Sequence, residues 1–334
     1  MPRNNDLQPI ELPMDLKFGE PVNTSFQNNL EALSVELVDA PTSEQARNVA
    51  WHYVKATWAD TPSEIDPTSA SDAIKSKNLL DVLQYRALPT PMECLGFTFR
   101  LSGLSFQEVT HIIRHRAGSF AAQCTGDRDL RDDPAVIPES VENSPEYLER
   151  YKEIVHMSKQ LYADMTDSKV VSMMDARMIL PKCMTSFYYM RLNLKDLVGF
   201  VRQRQDAQIQ PAADNILAAR MAIEACKAIP ELTQVFNFDK PDFHYINTFR
   251  VKEGDKWISR GTNLYQPEPK NDTFEYHEED TIYPCRREEL NGTHGTGTKI
   301  FTTMWSDLME EFQGLKRDYE YTQRGNEAYT NNNS

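Results

Sequence analysis

The chain has 334 residues, 40% of them hydrophobic and 26% charged, with 36 basic against 50 acidic residues and a net charge of -14. That length suits one large domain or two ordinary ones, and the composition is that of a water-soluble globular protein. The acidic balance, with no basic block longer than three residues, argues against a duplex nucleic-acid partner. No run of about 18 apolar residues occurs, so no membrane span is expected. The N-terminal stretch lacks an apolar signal core. Five scattered cysteines (Cys94, Cys124, Cys183, Cys226 and Cys285) form no C-x-x-C pair. They read as free thiols in a reducing compartment, and a cytoplasmic location is expected.

Residues 1–42 are polar and proline-containing and read as an extended arm. "SEQARNVAWHYVKATW" (43–58) offers Ser43 as an N-cap and places Val49, Ala50, Tyr53, Val54 and Trp58 at helical spacing. "DAIKSKNLLDVLQYRAL" (72–88) predicts a second helix, stopped near Pro89. "GFTFRLSG" (96–103) alternates Phe97, Phe99 and Leu101 and ends in glycine, the pattern of a strand. "SFQEVTHIIRHR" (105–116) opens with a Ser105/Glu108 capping box and carries the apolar stripe Phe106, Val109, Ile112 and Ile113, with Gly118 where a C-terminal cap belongs.

A longer helix is predicted over 144–165, with Ser144 as N-cap and Pro145 at its first position. Helices follow over 167–180, halted by Pro181, over 193–204 with Asn193 as cap, and over 212–229. Beyond about 235 no clear period survives until 300–315. There Phe301, Met304, Trp305, Leu308, Met309 and Phe312 restore a helix face, and the tail "NEAYTNNNS" is expected to be disordered. The organisation expected is an arm and helix over 1–69, a core over 70–235 and a C-terminal extension over 236–334.

The chemistry concentrates in "HIIRHRAGSFAAQC" (111–124). Arg114, His115 and Arg116 stand side by side, and three cationic or titratable neighbours repel one another. Two readings stay open. Cations in the last turn of a helix are favoured by its dipole, by roughly 0.3–1 kcal/mol each. Alternatively the triplet forms an anion site, in which arginine forks match phosphate oxygens and the adjoining Gly-Ser turn adds donors. His111 and His115 stand at i, i+4, a spacing that can hold a metal on a helix face. Position 112 is not glutamate, however, and no metal is assigned. "GTHGTGTK" (292–299) lacks P-loop spacing and reads as a turn. "DRDLRDDP" (127–134) reads as a salt-bridged loop.

The triplet, seven residues, and then a position that is serine in the pattern and Cys124 here resemble the signature of flavin-dependent thymidylate synthases. Three further segments match that family in order and spacing: "ECLGFTF" (93–99), "ARMILP" (176–181) and "NLKDLVGFVRQRQDAQIQ" (193–210). The resemblance implies an α+β core of helices around a mixed sheet. It implies reductive transfer of a one-carbon unit from methylene-tetrahydrofolate to C5 of dUMP or a related pyrimidine nucleotide, with FAD as cofactor and NADPH as reductant. It also implies a homotetramer with shared sites. Carried over by position, Arg114, His115, Arg116, Ser119, Arg204 and Gln208 hold the flavin, Arg204 from another subunit. Arg177, His111, Cys124 and Arg128 face the substrate, and Cys124 and Arg177 form the catalytic set. Cys124 has two readings: a near-isosteric swap for serine, or a nucleophile that adds to C6 of the pyrimidine.

The chain departs from the family pattern at Ala121-Ala122, where Asn-Glu is usual. His111 replaces a glutamine and Cys94 a histidine. Gly126 stands where the pattern has an arginine, with Arg128 and Arg131 close by, and a late arginine falls near Ala213 or Asp214. Flavin positions survive better than nucleotide positions. The expectation is a retained flavin scaffold with altered substrate recognition, the rival outcomes being modification of another pyrimidine, for example hydroxymethylation, or a non-catalytic homologue.

Overall fold

The computed structural model describes residues 19, 21–205, 212–238, 246–253, 256–263 and 299–332. Strands β1 (Phe26–Asn28) and β2 (Ser34–Asp39) lead into helices α1 (Ser43–Ala56), α2 (Asp72–Leu83) and α3 (Thr90–Cys94). Next come β3 (Gly96–Ser105), α4 (Phe106–Ile112), β4 (Ser119–Ala122), β5 (Ala135–Ile137), α5 (Glu139–Glu142), α6 (Pro145–Asp167) and α7 (Met173–Ala176). Strand β6 (Thr185–Asn193) is followed by α8 (Leu194–Arg204) and α9 (Ala212–Ala228). The antiparallel pair β7 (Ile246–Glu253) and β8 (Lys256–Asn263) precedes α10 (Lys299–Asn332).

The α+β class holds. The central sheet runs β2-β3-β6-β4 with each pairing antiparallel, while the parallel pairing belongs to a separate sheet of β1 and β5. Part of the segment expected to be an arm is thus built into both sheets. One face of the central sheet is apolar: Phe97, Phe99, Leu101 and Leu104 from β3 meet Tyr188, Met190 and Leu192 from β6 in the main core. Helices α8 and α9 pack on the sheet and contribute Leu197, Phe200, Leu217 and Met221 to the same core. Strand β3 continues past Gly103 instead of ending there. A bulge between Leu101 and Leu104 lets Gly103 adopt φ +74°, and a Cβ at that position would sit 1.8 Å from the Ala32 carbonyl oxygen.

Local chemistry explains where several elements begin and end. The cap of α1 is Thr42 rather than Ser43: its hydroxyl accepts from Gln45 N at 3.2 Å, and the Gln45 side chain accepts from Thr42 N at 2.8 Å. Helix α2 stops at Leu83, short of Leu88, in a Schellman closure. Arg86 N donates to the Asp81 carbonyl at 2.7 Å and Tyr85 N to that of Val82 at 3.1 Å. Tyr85 occupies the position just past the cap with φ +57°, where a side chain costs roughly 1–2 kcal/mol relative to glycine.

The Ser105/Glu108 capping box forms as expected, but α4 ends at Ile112 with Ile113 as its C-cap. Gly118 therefore does not cap α4 and instead stands just before β4. Ser144 supplies no side-chain cap to α6, its hydroxyl donating back to the Ser140 carbonyl at 2.8 Å. The helix expected over 167–180 is broken: Ser172 caps the short α7, and a 3-10 turn covers Arg177–Ile179.

The C-terminal helix is longer than its apolar stripe, 34 residues, and takes in most of the tail expected to be disordered. Phe301, Trp305 and Phe312 are buried with the main core, and α10 lies against α9. The Glu139 carboxylate accepts from Ile300 N at 2.8 Å and Phe301 N at 3.3 Å, satisfying two free donors at the start of that helix. Nearby, fully buried Glu231 ties three elements together. It pairs with Arg47 at 2.6 Å and accepts from Ser43 at 3.1 Å and Ser76 at 3.4 Å. Among the described residues no helix is long and apolar enough to cross a membrane. Cys285 and nearly all of 292–299 lie outside the described residues.

Candidate functional site

The site is built around the end of α8. Asn193 starts this helix, its side-chain oxygen accepting from Asp196 N at 2.8 Å. Leu197, Val198, Phe200 and Val201 bury one face. Arg204 closes the last turn and points inward, 8% exposed. Its Nε donates to His115 Nε2 at 3.0 Å, Nη1 donates to Asp214 Oδ2 at 2.9 Å, and Nη2 donates to the His111 carbonyl at 2.7 Å. Asn215 Nδ2 donates to the Arg204 carbonyl at 2.7 Å. One guanidinium thus joins the basic triplet, the segment before it and the start of α9.

The electrostatics follow from burial. Asp214 is wholly buried, and desolvation raises its pKa to about 6 in spite of the opposing pull of Arg204 and His111. Burial also lowers the pKa of His115, and the Arg204 charge adds to that shift. The imidazole is therefore neutral near pH 7. Because Nε2 accepts from Arg204, the ring proton sits on Nδ1. Phe200 packs edge-on against this ring with centroids 4.6 Å apart.

The triplet itself does not lie in the last helical turn. It follows the end of α4 in a tight turn, where His115 N donates to the Ile112 carbonyl and Gly118 N to that of His115, both at 3.1 Å. Arg114 and Arg116 are exposed while His115 is half-buried, so the three are separated by direction. A cavity of about 400 Å³ opens beside them. Its lining includes His115, Arg116, Leu192, Lys195, Phe200 and Tyr85. Phe200 and Leu192 give it apolar walls, Arg116 and Lys195 carry positive charge, and Asp196 sets one carboxylate against them. Lys195 is held by Glu93 at 2.7 Å on the surface. A Cβ added at Gly199 would meet nothing within 4 Å, so the cavity is open beside α8. This donor set fits a planar, anionic ligand, in a volume typical of small-molecule sites.

A second group stands beyond the other end of β4. Cys124 is exposed, its thiol directed at Asp127 Oδ2 at 3.1 Å. Arg177 Nη1 donates to Thr125 Oγ1 at 2.8 Å, and its Nε donates to the Met174 carbonyl at 3.2 Å. Arg128 is bound to Asp133, and Arg131 holds both Asp129 and Asp167 at 2.6 Å, the salt-bridged loop expected of 127–134. Gly126 is buried against this group: a Cβ there would lie 2.0 Å from the Met174 sulfur and 3.1 Å from Arg177 Nη1.

Sequence-predicted residues therefore sort into two groups. His115 and Arg116 share the cavity, and Arg204 stands behind His115. Cys124, Arg128 and Arg177 cluster beyond the far end of β4. Ser119 opens β4 opposite Arg191, exposed, and His111 is half-buried with Nδ1 3.6 Å from Asp214 Oδ2. Gln208 lies outside the described residues. Reading the sequence missed Asp214 as the partner of Arg204, Phe200 as the support of His115, and Lys195 and Tyr85 as cavity walls. Asp214 leaves one trace in the sequence: the resembling pattern carries a late arginine near Ala213 or Asp214.

A family model described as "Thymidylate synthase complementing protein" matches residues 36–231. A flavin-dependent thymidylate synthase of Thermococcus onnurineus is 27% identical over 179 residues, 52% of this chain and 71% of that one. One from Pyrococcus furiosus is 26% identical over 164 residues, 48% of this chain and 66% of that one. In fold, the chain is similar to the UMP/dUMP methylase PolB from Streptomyces cacaoi, solved with 5-Br dUMP. The TM-score is 0.55 at 17% identity, over 64% of this chain and 96% of that one. The matched span runs from β2 through the turn after α9 and contains both groups of site residues, and the chain belongs to the thymidylate synthase complementing protein family.

Proposed function

We propose that this chain is a flavin-dependent enzyme that transfers a one-carbon unit from methylene-tetrahydrofolate to C5 of dUMP or a closely related pyrimidine nucleotide. The observation that carries the reading is the Arg204–His115 bond, 3.0 Å, beside a cavity with cationic and apolar walls. It joins two motifs 89 positions apart, both of which the resemblance assigns to the flavin.

FAD, reduced by NADPH, supplies the electrons that turn a methylene into a methyl group. The residues of the chain bind and orient. Arg204 fixes the His115 ring and leaves Nδ1–H as its donor toward the cavity ligand. Arg116 and Lys195, with Arg114 beside the turn and Ser119 at the edge of β4, meet the negative charge of the cofactor. Phe200 and Leu192 keep water from its ring. Arg204 directs its bonds to His115, Asp214 and a carbonyl, so its role here is to position His115; direct contact with a flavin phosphate exchanges one of those bonds. Arg177 and Arg128 provide charge for the nucleotide, with His111 and Cys124 as further contacts. Cys124 either fills a serine's place or attacks C6. Gln208 is assigned to the cofactor on resemblance alone. The working form is a cytoplasmic homotetramer with sites completed between copies.

The test is a flavin absorbance spectrum of the purified protein, followed by tritium release from C5-labelled dUMP, dCMP and UMP with methylene-tetrahydrofolate and NADPH. Release from dUMP supports the reading as stated. Release from another nucleotide alone changes the substrate. A flavin-loaded protein that releases none refutes one-carbon transfer, and a colourless protein that ignores added FAD refutes the whole reading.

A further inference from the structure

Tyr85 occupies a position that a glycine would fill at less cost. Its φ of +57° follows from the Schellman closure of α2, which requires the left-handed conformation at that residue. Burial does not offset this strain, since the side chain is 51% exposed. Nor does the closure itself need a ring there, because both of its bonds are made by backbone groups. What the position does provide is a wall: Tyr85 lines the same cavity as His115, Arg116, Lys195 and Phe200. A strained non-glycine residue that lines a cavity, and whose side chain contributes little to the core, is the pattern of strain retained for a ligand.

We propose that Tyr85 is a stacking wall for a flat ring of the flavin dinucleotide bound in this cavity. The inference rests on the flavin reading above. The chemistry is suited to it. A tyrosine ring offers a large rigid face at low entropic cost, and a partly exposed ring gains most when a planar ligand covers it. The helix closure holds the Tyr85 backbone in one conformation, so the ring is brought to the cavity before the ligand arrives.

Three variants separate this role from a structural one. Y85G and Y85N remove the ring but suit the left-handed backbone, and Y85F keeps the ring. Thermal melting without added FAD and FAD titration followed by flavin fluorescence are the two readouts. Y85G is expected to melt at or above the wild-type temperature and to bind FAD about tenfold more weakly. Y85N is expected to follow Y85G in binding, and Y85F to bind within about twofold of wild type. Wild-type affinity in both Y85G and Y85N would overturn the proposal, and so would weaker binding in Y85F equal to that in Y85G. If wild type takes up FAD and the variants do not differ, only the Tyr85 role fails. If wild type takes up no FAD, the flavin reading fails with it.

Discussion

Asp214→Asn tests the electrostatic centre of the site. Burial raises the Asp214 pKa from 3.8 to about 6, against the pull of Arg204 and His111. An acid whose pKa is raised by folding binds its proton more tightly in the folded state. Its ionisation therefore costs stability as pH rises, and the cost is absent below the unfolded pKa. At about 1.36 kcal/mol for each pH unit, the full penalty above pH 6 is about 3 kcal/mol. Asparagine keeps the shape and can still accept from Arg204, but it does not titrate.

Urea unfolding of both proteins between pH 4.5 and 7.5 reads the difference. The stability of the Asp214→Asn variant relative to wild type is expected to rise by about 2 kcal/mol across that window. His115 acts in the opposite direction. Its pKa is lowered by burial and by Arg204, so its cost appears as pH falls through 6.5. It is present in both proteins and largely cancels in the difference. A difference that stays flat with pH, or one that falls, would refute the reasoning. It would mean that the Arg204 pair outweighs burial and keeps the carboxylate charged.

Other perturbations probe packing and chemistry. Arg47→Ala strands the wholly buried Glu231 with only serine donors and is expected to cost about 3 kcal/mol in chemical unfolding, whereas Glu231→Gln costs less than half of that. Phe312→Ala empties a buried aromatic site between α10 and the core and is expected to cost roughly 3–5 kcal/mol. Hydrogen exchange in α10 should quicken with it, and unchanged protection there would show that the helix is held by other contacts. Cys124→Ser is expected to keep flavin binding and lower turnover; equal turnover removes the nucleophile and leaves a simple contact.

What could be read from the sequence follows from which signals are local. The Ser105/Glu108 box and the Asn193 cap involve residues three apart, and both formed as their spacing predicts. Strand β6 gives no clear signal in the sequence because Phe187 and Tyr189 face outward between the buried Tyr188, Met190 and Leu192. Aromatic residues on both faces hide the alternation that marks a half-buried strand. Helix α4 is shorter than its apolar stripe predicts for a related reason. Arginine and histidine are acceptable at a helix end, so propensity gave no stop at Ile112, and the turn is fixed instead by tertiary bonds from Arg204 to His115 and to the His111 carbonyl. The pairing of Arg204 with Asp214 spans only ten positions but crosses two helices, and no periodicity encodes it.

That pairing also bears on how the charge of the site is distributed. Where the resembling pattern has a cation near position 214, this chain has a buried acid, so the guanidinium of Arg204 faces an internal partner of opposite sign. Positive charge available to a ligand then comes from elsewhere. On the cavity side it comes from Arg116, with Lys195 shared with Glu93, and beyond β4 from Arg177, which is bonded to Thr125, with Arg128 shared with Asp133. Four strand residues at about 3.3 Å each put roughly 10 Å between the two ends of β4. On the function proposed above, a cofactor and a nucleotide, both anionic, would meet separate sets of cations on one chain, with the His115 ring at the cofactor end. With an acid at Asp214, Arg204 is held from inside while its Nε fixes the His115 ring in a single tautomer.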